Sequence, residues 1–536
     1  MTILEAGRVG ARELGAYYTP ESAARLMAEW TLARDGVRLL EPSMGDGAFL
    51  GAVANVVAEN RLDDVETWGV EYAAEAFQAA VIQGLVPRER AIHSDFLAVD
   101  PFPVDGVIGN PPYVRLRHLP EDEAQLAREV ADSALGFPMD PSGSVWMPFV
   151  LHSLSFLREG GRLALVLPYD FTYVRYARPL WQHLADRFGS LRLIRVKERI
   201  FPDLLQEVVV LLAADFGDST PAVELDAYET HAHFLAGRPL RATEIPIREV
   251  VEGERPFVEA LLPSNLRHLL HKKLFNATVD LGSVARFNIG YVSGDKSFFH
   301  PSEEEIERYE IEPRSLLPAV TSARQVRGAG IYTAGLRENL RSTLFAPGPL
   351  LTPGEADYVA EGERLEVDQR YKCQVRKPWW VVPGITRPDL IVSVFGEEPC
   401  MLINDADLVA SNSMLCGSVH PDANPKHLVA GWYTPLAALY RELQIHSLGG
   451  GTFVLVPGEI SRVRIPDLSG SRSRLSLRKL DRAVQQADFP TAYEWGRSTV
   501  LEGVLGLTRK EIDLIDEGRD VLADWRRSAG RGPVPA

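Results

Sequence analysis

The stretch VRLLEPSMGDGAFLGAVANVVAEN, residues 37–60, decides the fold. An apolar run of strand length ends at Glu41-Pro42. It passes through a turn in which Gly45 and Gly47 straddle Asp46, then opens into a helical pattern. Glycines at such a turn let the backbone pass close to a ligand at the carboxyl end of a strand. Outward from it, ETWGVEY (66–72), ERAIHSDF (89–96), DGVIGN (105–110), GRLALVLP (161–168), LRLIRVKE (191–198) and EVVVLLAADF (207–216) are further short runs rich in Val, Ile and Leu. Helical patterns separate several of them, and PESAARLMAEW (20–30) precedes the first. Strands alternating with helices predict a doubly wound, mostly parallel α/β sheet covered on both faces.

The glycine turn lacks the third glycine of the dinucleotide fingerprint, and alone it reads equally well as a tight turn. Two spacings favour a ligand. Glu71 ends the next strand, where an acid meets ribose hydroxyls in such folds. Asp95-Phe96 ends the third, offering an acceptor for an exocyclic amine and an aromatic face for a purine. Glu41 and Asp46 flank the turn and would repel a pyrophosphate; carboxylates there suit a sulfonium or an ammonium. That favours S-adenosyl-L-methionine over NAD. Upstream, GAYYTPESAARLM reads as a helix start, with Thr19 as N-cap, Pro20 at the first helical position and Glu21 in the first turn.

The stretch GVIGNPPYVRL, 106–116, runs an apolar strand into two prolines. They remove two backbone donors and fix two φ angles, which makes a rigid, non-helical ledge. Such a ledge suits chemistry on an amine whose lone pair is delocalised into a ring or an amide. The amine needs its hydrogens held so that nitrogen can pyramidalise. The Asn110 side-chain oxygen and the Pro111 carbonyl are the acceptors, Pro112 keeps the backbone from relaxing, and the Tyr113 ring gives a planar base a face to stack on.

GAYYTP, LLEPSMGDGAFL, GVEY, SDF and NPPY occur in one order and at family spacings. In this the chain resembles the gamma-class DNA adenine-N6 methyltransferases, the TaqI-type modification enzymes. The resemblance implies a class I methyltransferase fold, S-adenosyl-L-methionine as cofactor, double-stranded DNA as partner and a mixed α+β target-recognition domain after the catalytic one. It assigns Tyr18, Thr19, Glu41, Pro42, Met44, Gly45, Gly47, Glu71, Asp95, Phe96 and Asn110 to the cofactor. It assigns Asn110, Pro111, Pro112 and Tyr113 to catalysis, with Phe201 as a second stacking aromatic on a flipped base, and no metal. The motif itself leaves the substrate open between adenine N6, cytosine N4, RNA and a protein amide. About 290 residues follow the catalytic half, too many for a modifier of peptide-release factors. A non-catalytic recognition subunit is disfavoured by the intact Asn-Pro-Pro-Tyr and acid set.

Composition sets the remaining bounds. With 46% hydrophobic and 24% charged residues over 536, the chain is of ordinary globular type with about two to four domains. The texture divides it into 1–240 (catalytic), 241–470 (target recognition) and 471–536 (helical, with a frayed tail). Cys373, Cys400 and Cys416 have neither metal-ligand nor disulfide spacing, which fits a cytoplasmic location. The N-terminus carries no apolar leader and no run reaches membrane-spanning length. The net charge of −16 opposes nucleic acid on average, so DNA must meet a local basic face. Candidates are NLRHLLHKK (265–273), Arg286, Lys296, SARQVRG (322–328), RYKCQVRKPWW (370–380), Arg387 and SRSRLSLRK (471–479). The glycines of SLGGGTF (447–453) imply either close approach to a partner or a tight bend. No nuclease signature is present, and about 14 residues before the first motif leave no room for a fused one. The expectation is a stand-alone modification enzyme of a restriction-modification or phage-defence system, for which a cognate restriction endonuclease, if there is one, is encoded separately.

Overall fold

The computed structural model describes residues 19–32, 36–198, 207–337, 340–448, 451–470 and 475–528. Tyr18 and Phe201, expected at the cofactor and the target base, lie outside the described residues, as do residues 471–474 of the last basic segment and the tail from 529. The chain forms two compact units, divided between Leu261 and Leu262.

The first unit is built on one nine-stranded sheet. In chain order its strands are β1 (Arg38–Glu41), β2 (Glu66–Glu71), β3 (Ala91–His93), β4 (Val104–Gly109), β5 (Leu157–Pro168), β6 (Phe188–Val196), β7 (Val208–Phe216), β8 (Ala222–Tyr228) and β9 (Arg241–Pro246). Their spatial order is β3-β2-β1-β4-β5-β7-β6-β8-β9. The pairings from β3 through β5 are all parallel, whereas β5 with β7, β7 with β6, and β8 with β9 are antiparallel. The sheet is thus doubly wound and parallel where the motifs lie, with an antiparallel flank. After β1 the chain adds β2 and β3 on one side, then crosses to lay β4 against the other side of β1. Strand order therefore reverses between β1 and β4, the switch point beyond whose carboxyl ends doubly wound sheets bind ligands.

Both faces are covered. Helices α1 (Glu21–Thr31) and α2 (Ala48–Asn60) bury Ala23, Ala24, Met27, Phe49, Val53 and Val56 against Ile108, Ala164, Val166, Ile194, Val208 and Val210, alternate positions of four strands. The intervening Val107, Leu163, Leu165, Leu193, Val209 and Leu211 are equally buried on the other face. Burial on both faces is why these strands read as continuous apolar runs, and each fully buried Val, Leu or Ile contributes roughly 1.5–3 kcal/mol. One expectation is corrected. α1 starts at Glu21 with Pro20 flanking it and no side-chain cap; Thr19 is buried, so its hydroxyl does not serve as the cap. β8 and β9, unforeseen in the sequence, carry the sheet on to Pro246.

The second unit is assembled from small sheets. β11 (Ala285–Ile289), β14 (Leu390–Ser393), β16 (Met401–Ile403) and β18 (Met414–Val419) form an antiparallel four-stranded sheet in the order β11-β18-β14-β16, with β10 (Thr278–Asp280) paired separately. β12 (Leu316–Val320) joins β13 (Thr343–Phe345) and β17 (Val409–Ala410), and β15 (Phe395–Gly396) pairs with the strand Thr452–Val454. An aromatic core fills its centre. The rings of Phe298 and Tyr358 stack at 4.7 Å, and the Tyr358 hydroxyl donates to the Phe298 carbonyl at 2.6 Å. Tyr358 rides on the helix Pro353–Arg364, started by a Thr352/Glu355 capping box. Helices Arg478–Gln485, Phe489–Trp495 and Arg509–Ser528 come last. Gly451 has a protein reason for being glycine: φ is +79°, and a Cβ there would stand 2.9 Å from the Arg527 Cα. The close approach is to the chain itself.

Candidate active site

The turns at the carboxyl ends of β1, β2 and β4 lie side by side at the switch point of the sheet. Glu41 ends β1 and is 1% exposed. Its Oε2 is buried and has no hydrogen-bond partner among the described residues. Burial first, then the negative charges of Asp46 and Glu71, push its carboxyl well above the usual range, opposed only by a hydrogen bond from the Leu50 amide. Asp46 is also raised, by burial. The turn is left-handed at Gly45 (φ +53°) and Gly47 (φ +79°), and the Gly47 N–H donates to the Met44 carbonyl at 2.7 Å. A Cβ on Gly47 would strike the Leu85 side chain; one on Gly45 would meet nothing within 4 Å. The space beside Gly45 is open as far as the described residues go.

Glu71 ends β2 and crosslinks the two strand ends. Its Oε2 accepts the Gly45 N–H and its Oε1 the Ala73 N–H, both at 2.8 Å. Each oxygen keeps a lone pair. Asp95, after β3, accepts the Leu97 N–H at 2.9 Å and starts a short 3-10 turn.

Two expected side chains lie inside the protein. Met44 is buried in an apolar cluster with Leu50, Phe77, Ala80, Val86 and Ala91. Phe96 is 2% exposed and packs on Phe149, His152 and Phe156 at 4.9–5.4 Å. The exposed ring in this neighbourhood is Tyr72, directly after Glu71 and 55% exposed, its hydroxyl donating to Glu123. Sequence reading passed over it, although its place next to the acid was the available signal.

The ledge comes after β4. Ser43 Oγ donates to the Asn110 carbonyl at 3.2 Å, joining the glycine turn to the Asn-Pro-Pro-Tyr segment. Asn110 is half-buried and Pro111 buried. The Tyr113 hydroxyl contacts Asn110 Oδ1 at 2.5 Å and the Val166 carbonyl at 3.0 Å, and its ring packs on the core under α1. Beyond it the backbone is pinned: the Val145 N–H donates to Val114 O at 2.9 Å and the Leu116 N–H to Gly143 O at 3.1 Å. Rigidity thus comes from prolines in the middle and hydrogen bonds beyond.

The end of β5 adds residues that sequence reading did not single out. Arg115, two residues past Tyr113, reaches Asp170 at 3.3 Å. Buried Arg195 pairs with Glu207 at 2.7 Å beneath the Tyr169 ring, 4.2 Å from its centroid. The signal available was LPYDF (167–171), a second strand running into Pro-Tyr.

The geometry agrees with comparisons to known proteins. Residues 3–176 match the N-6 DNA methylase family, and residues 254–501 match the C-terminal domain of Type II methyltransferase M.Eco57I. Type II methyltransferase M.XamI of Xanthomonas campestris pv. amaranthicola is 25% identical over 85% of each chain. M.AccI of Acinetobacter calcoaceticus is 22% identical over 76% of each. In fold, the chain resembles the Type IIL restriction-modification enzyme MmeI solved in complex with DNA, with a TM-score of 0.50 at 12% identity over 99% of this chain and 74% of that one. Two matches in this order, over a sheet of this topology, make the first part of the chain similar to the N-6 DNA methylases and most of its length similar to the Type II methyltransferases.

Proposed function

We propose that the chain transfers a methyl group from S-adenosyl-L-methionine to the N6 amine of an adenine flipped out of double-stranded DNA, as the modification half of a restriction-modification system. The observation that carries this is the buried Glu41 Oε2, without a partner among the described residues, beside the Gly45 turn and tied through Ser43 to Asn110. A buried carboxylate oxygen with nothing to accept fits a cationic ligand and no anionic one.

The residues present fit the cofactor. Glu41, with Asp46, would face its cationic methionine end; Glu71 would take the ribose hydroxyls on its remaining lone pairs; Asp95 would accept from the adenine amine. Exposed Tyr72 would cover that adenine, whereas Phe96 and Met44 would support the pocket from inside. Bound there, the cofactor supplies an electrophilic methyl group.

The rest falls to the chain. An adenine amine is paired inside a duplex, so the base must leave the stack first. Asn110 Oδ1 and the Pro111 carbonyl would then accept its two hydrogens, drawing nitrogen towards pyramidal geometry. The Tyr113 hydroxyl fixes which way the Asn110 amide points and leaves its oxygen a second lone pair. The Tyr113 ring and Phe201 would stack on the base. The second unit would select the sequence, a separately encoded endonuclease would be the cognate partner, and the reaction would take place in the cytoplasm.

The test is transfer of labelled methyl to duplex DNA, RNA and protein in parallel, followed by nucleoside analysis. Label in N6-methyladenine is the expected result. Label in cytosine N4, in RNA or in protein would overturn the substrate assignment.

A further inference from the structure

In the second unit, two segments far apart in sequence form one cationic surface. VSGDKS (292–297) and RYKCQVRK (370–377) carry five Lys and Arg and one carboxylate, in a chain of net charge −16. Two of the cations build the surface. The Arg376 guanidinium donates to the Val292 and Ser293 carbonyls at 2.5 and 2.8 Å, and Arg370 pairs with Asp295 at 2.9 Å. Buried Cys373 seats the short helix Tyr371–Gln374 on Gly294, whose missing Cβ would lie 2.9 Å from its sulfur and 3.2 Å from the Lys372 Cβ. The backbone is therefore held by its own anchors.

Three lysines are left over. Lys296, Lys372 and Lys377 are exposed and have no carboxylate within ion-pair distance among the described residues. Tyr371 is 73% and Val375 69% exposed beside them, and the Lys372 ammonium lies 5.2 Å from the Tyr371 ring centroid. Nothing in the fold requires an exposed tyrosine among unpaired ammonium groups. An anchored platform of point charges with an aromatic among them matches a polyanion of regular charge, where each neutralised phosphate releases counterions.

We infer that Lys296, Lys372 and Lys377 form a phosphate-contacting platform for the backbone of duplex DNA. This rests on the proposed function and names which face of the second unit meets DNA. Contacts of this kind position a duplex without reading its bases. The platform should therefore contribute equally to binding of any sequence.

The experiment measures DNA affinity of the full chain against salt, without cofactor, for wild type, the triple variant Lys296→Gln/Lys372→Gln/Lys377→Gln, a Lys-to-Arg triple variant, and Lys426→Gln as an exposed control elsewhere on the same unit. The triple glutamine variant should lose affinity for specific and unrelated duplexes alike. Its slope of log affinity on log salt should fall by about 2–3, at roughly 0.9 per phosphate contact. The arginine variant should keep the slope, as should Lys426→Gln. Thermal melting should be unchanged, since none of the three lysines holds the fold. An unchanged slope in the glutamine variant, or an equal fall in Lys426→Gln, would overturn the platform while leaving the proposed function standing. Failure of the wild type to bind DNA at all would overturn both.

Discussion

The two units put residues together by different rules. In the first, Glu41, Glu71, Asp95 and Asn110 lie at the ends of four strands that are neighbours in one parallel sheet. Each side chain is placed by a local signal, an apolar run and the turn after it, and the winding of the sheet does the rest. In the second, Ala285 pairs with Val419 and Leu390 with Gly417 in the same small sheet, and residue 294 packs against residues 372 and 373. No local signal announces those meetings. On the proposed function, the residues for chemistry are written locally, whereas those for recognition are written across distance.

If that division holds, variants at the strand ends should change chemistry or cofactor binding. Variants in the second unit should change DNA affinity alone. The largest effect belongs to Asn110→Ala. On the proposed function it would remove an interaction that strengthens as the amine gains positive character, so the loss should fall on the chemical step. A fall of roughly 10²–10³-fold in single-turnover rate is expected, as for loss of one preorganised polar group, with cofactor affinity little changed. A near wild-type rate would remove Asn110 from catalysis.

Next is Glu71→Ala, which deletes the acid that accepts the Gly45 and Ala73 amides and that, on the proposed function, would hold the ribose. S-adenosyl-L-methionine binding should weaken by about 1.5–3 kcal/mol, the range for hydrogen bonds to a charged group. Calorimetry showing equal affinity would take Glu71 out of the pocket.

Glu41 separates stability from function. Its carboxyl is raised because ionisation in the folded state is disfavoured by burial and by Asp46. The folded chain therefore holds a proton that the unfolded chain has released. Glu41's contribution to stability is present below the usual carboxylate range near pH 4.5 and is lost as pH rises through the folded value. A cationic ligand favours the ionised form, so cofactor affinity should rise with pH over the same window and binding should release a proton. Glu41→Gln should raise the melting temperature at neutral pH, weaken the cofactor and flatten that pH dependence. Calorimetry in buffers of different ionisation enthalpy reads the proton directly. Equal heats in all buffers would contradict the assignment.

The smallest effect is expected for Tyr113→Phe. The ring stays, and the variant loses a hydroxyl bonded to Asn110 Oδ1 and Val166 O. A neutral hydrogen bond of that kind is worth about 0.5–1.5 kcal/mol. The loss should appear in turnover rather than in DNA affinity, because orientation of Asn110 is what the hydroxyl supplies.

Much of the first unit was legible in the sequence. The apolar runs at 37–43, 66–72 and 105–110 fall on β1, β2 and β4, because strands buried on both faces admit few polar residues. The turn glycines and Glu71 could be read because left-handed φ and a strand-ending acid leave residue-level traces. Burial of Phe96 could not be read: Asp95-Phe96 looks the same whether the ring faces a ligand or Phe149 and Phe156. Thr19 failed as a cap because Pro20 flanks the helix and the hydroxyl is buried. Of the second unit, the basic segments were visible, but which of their cations are spent on carbonyls, as Arg376 is, depends on contacts only the fold creates.

Methylation of adenine N6 by the Asn110 ledge is tested most directly by base-level mapping of modified nucleotides in DNA from cells expressing the wild-type chain, beside cells expressing Asn110→Ala. N6-methyladenine at one recurring sequence is expected in the first and none in the second. Methylation elsewhere than adenine N6, or an undiminished pattern with Asn110→Ala, would contradict it.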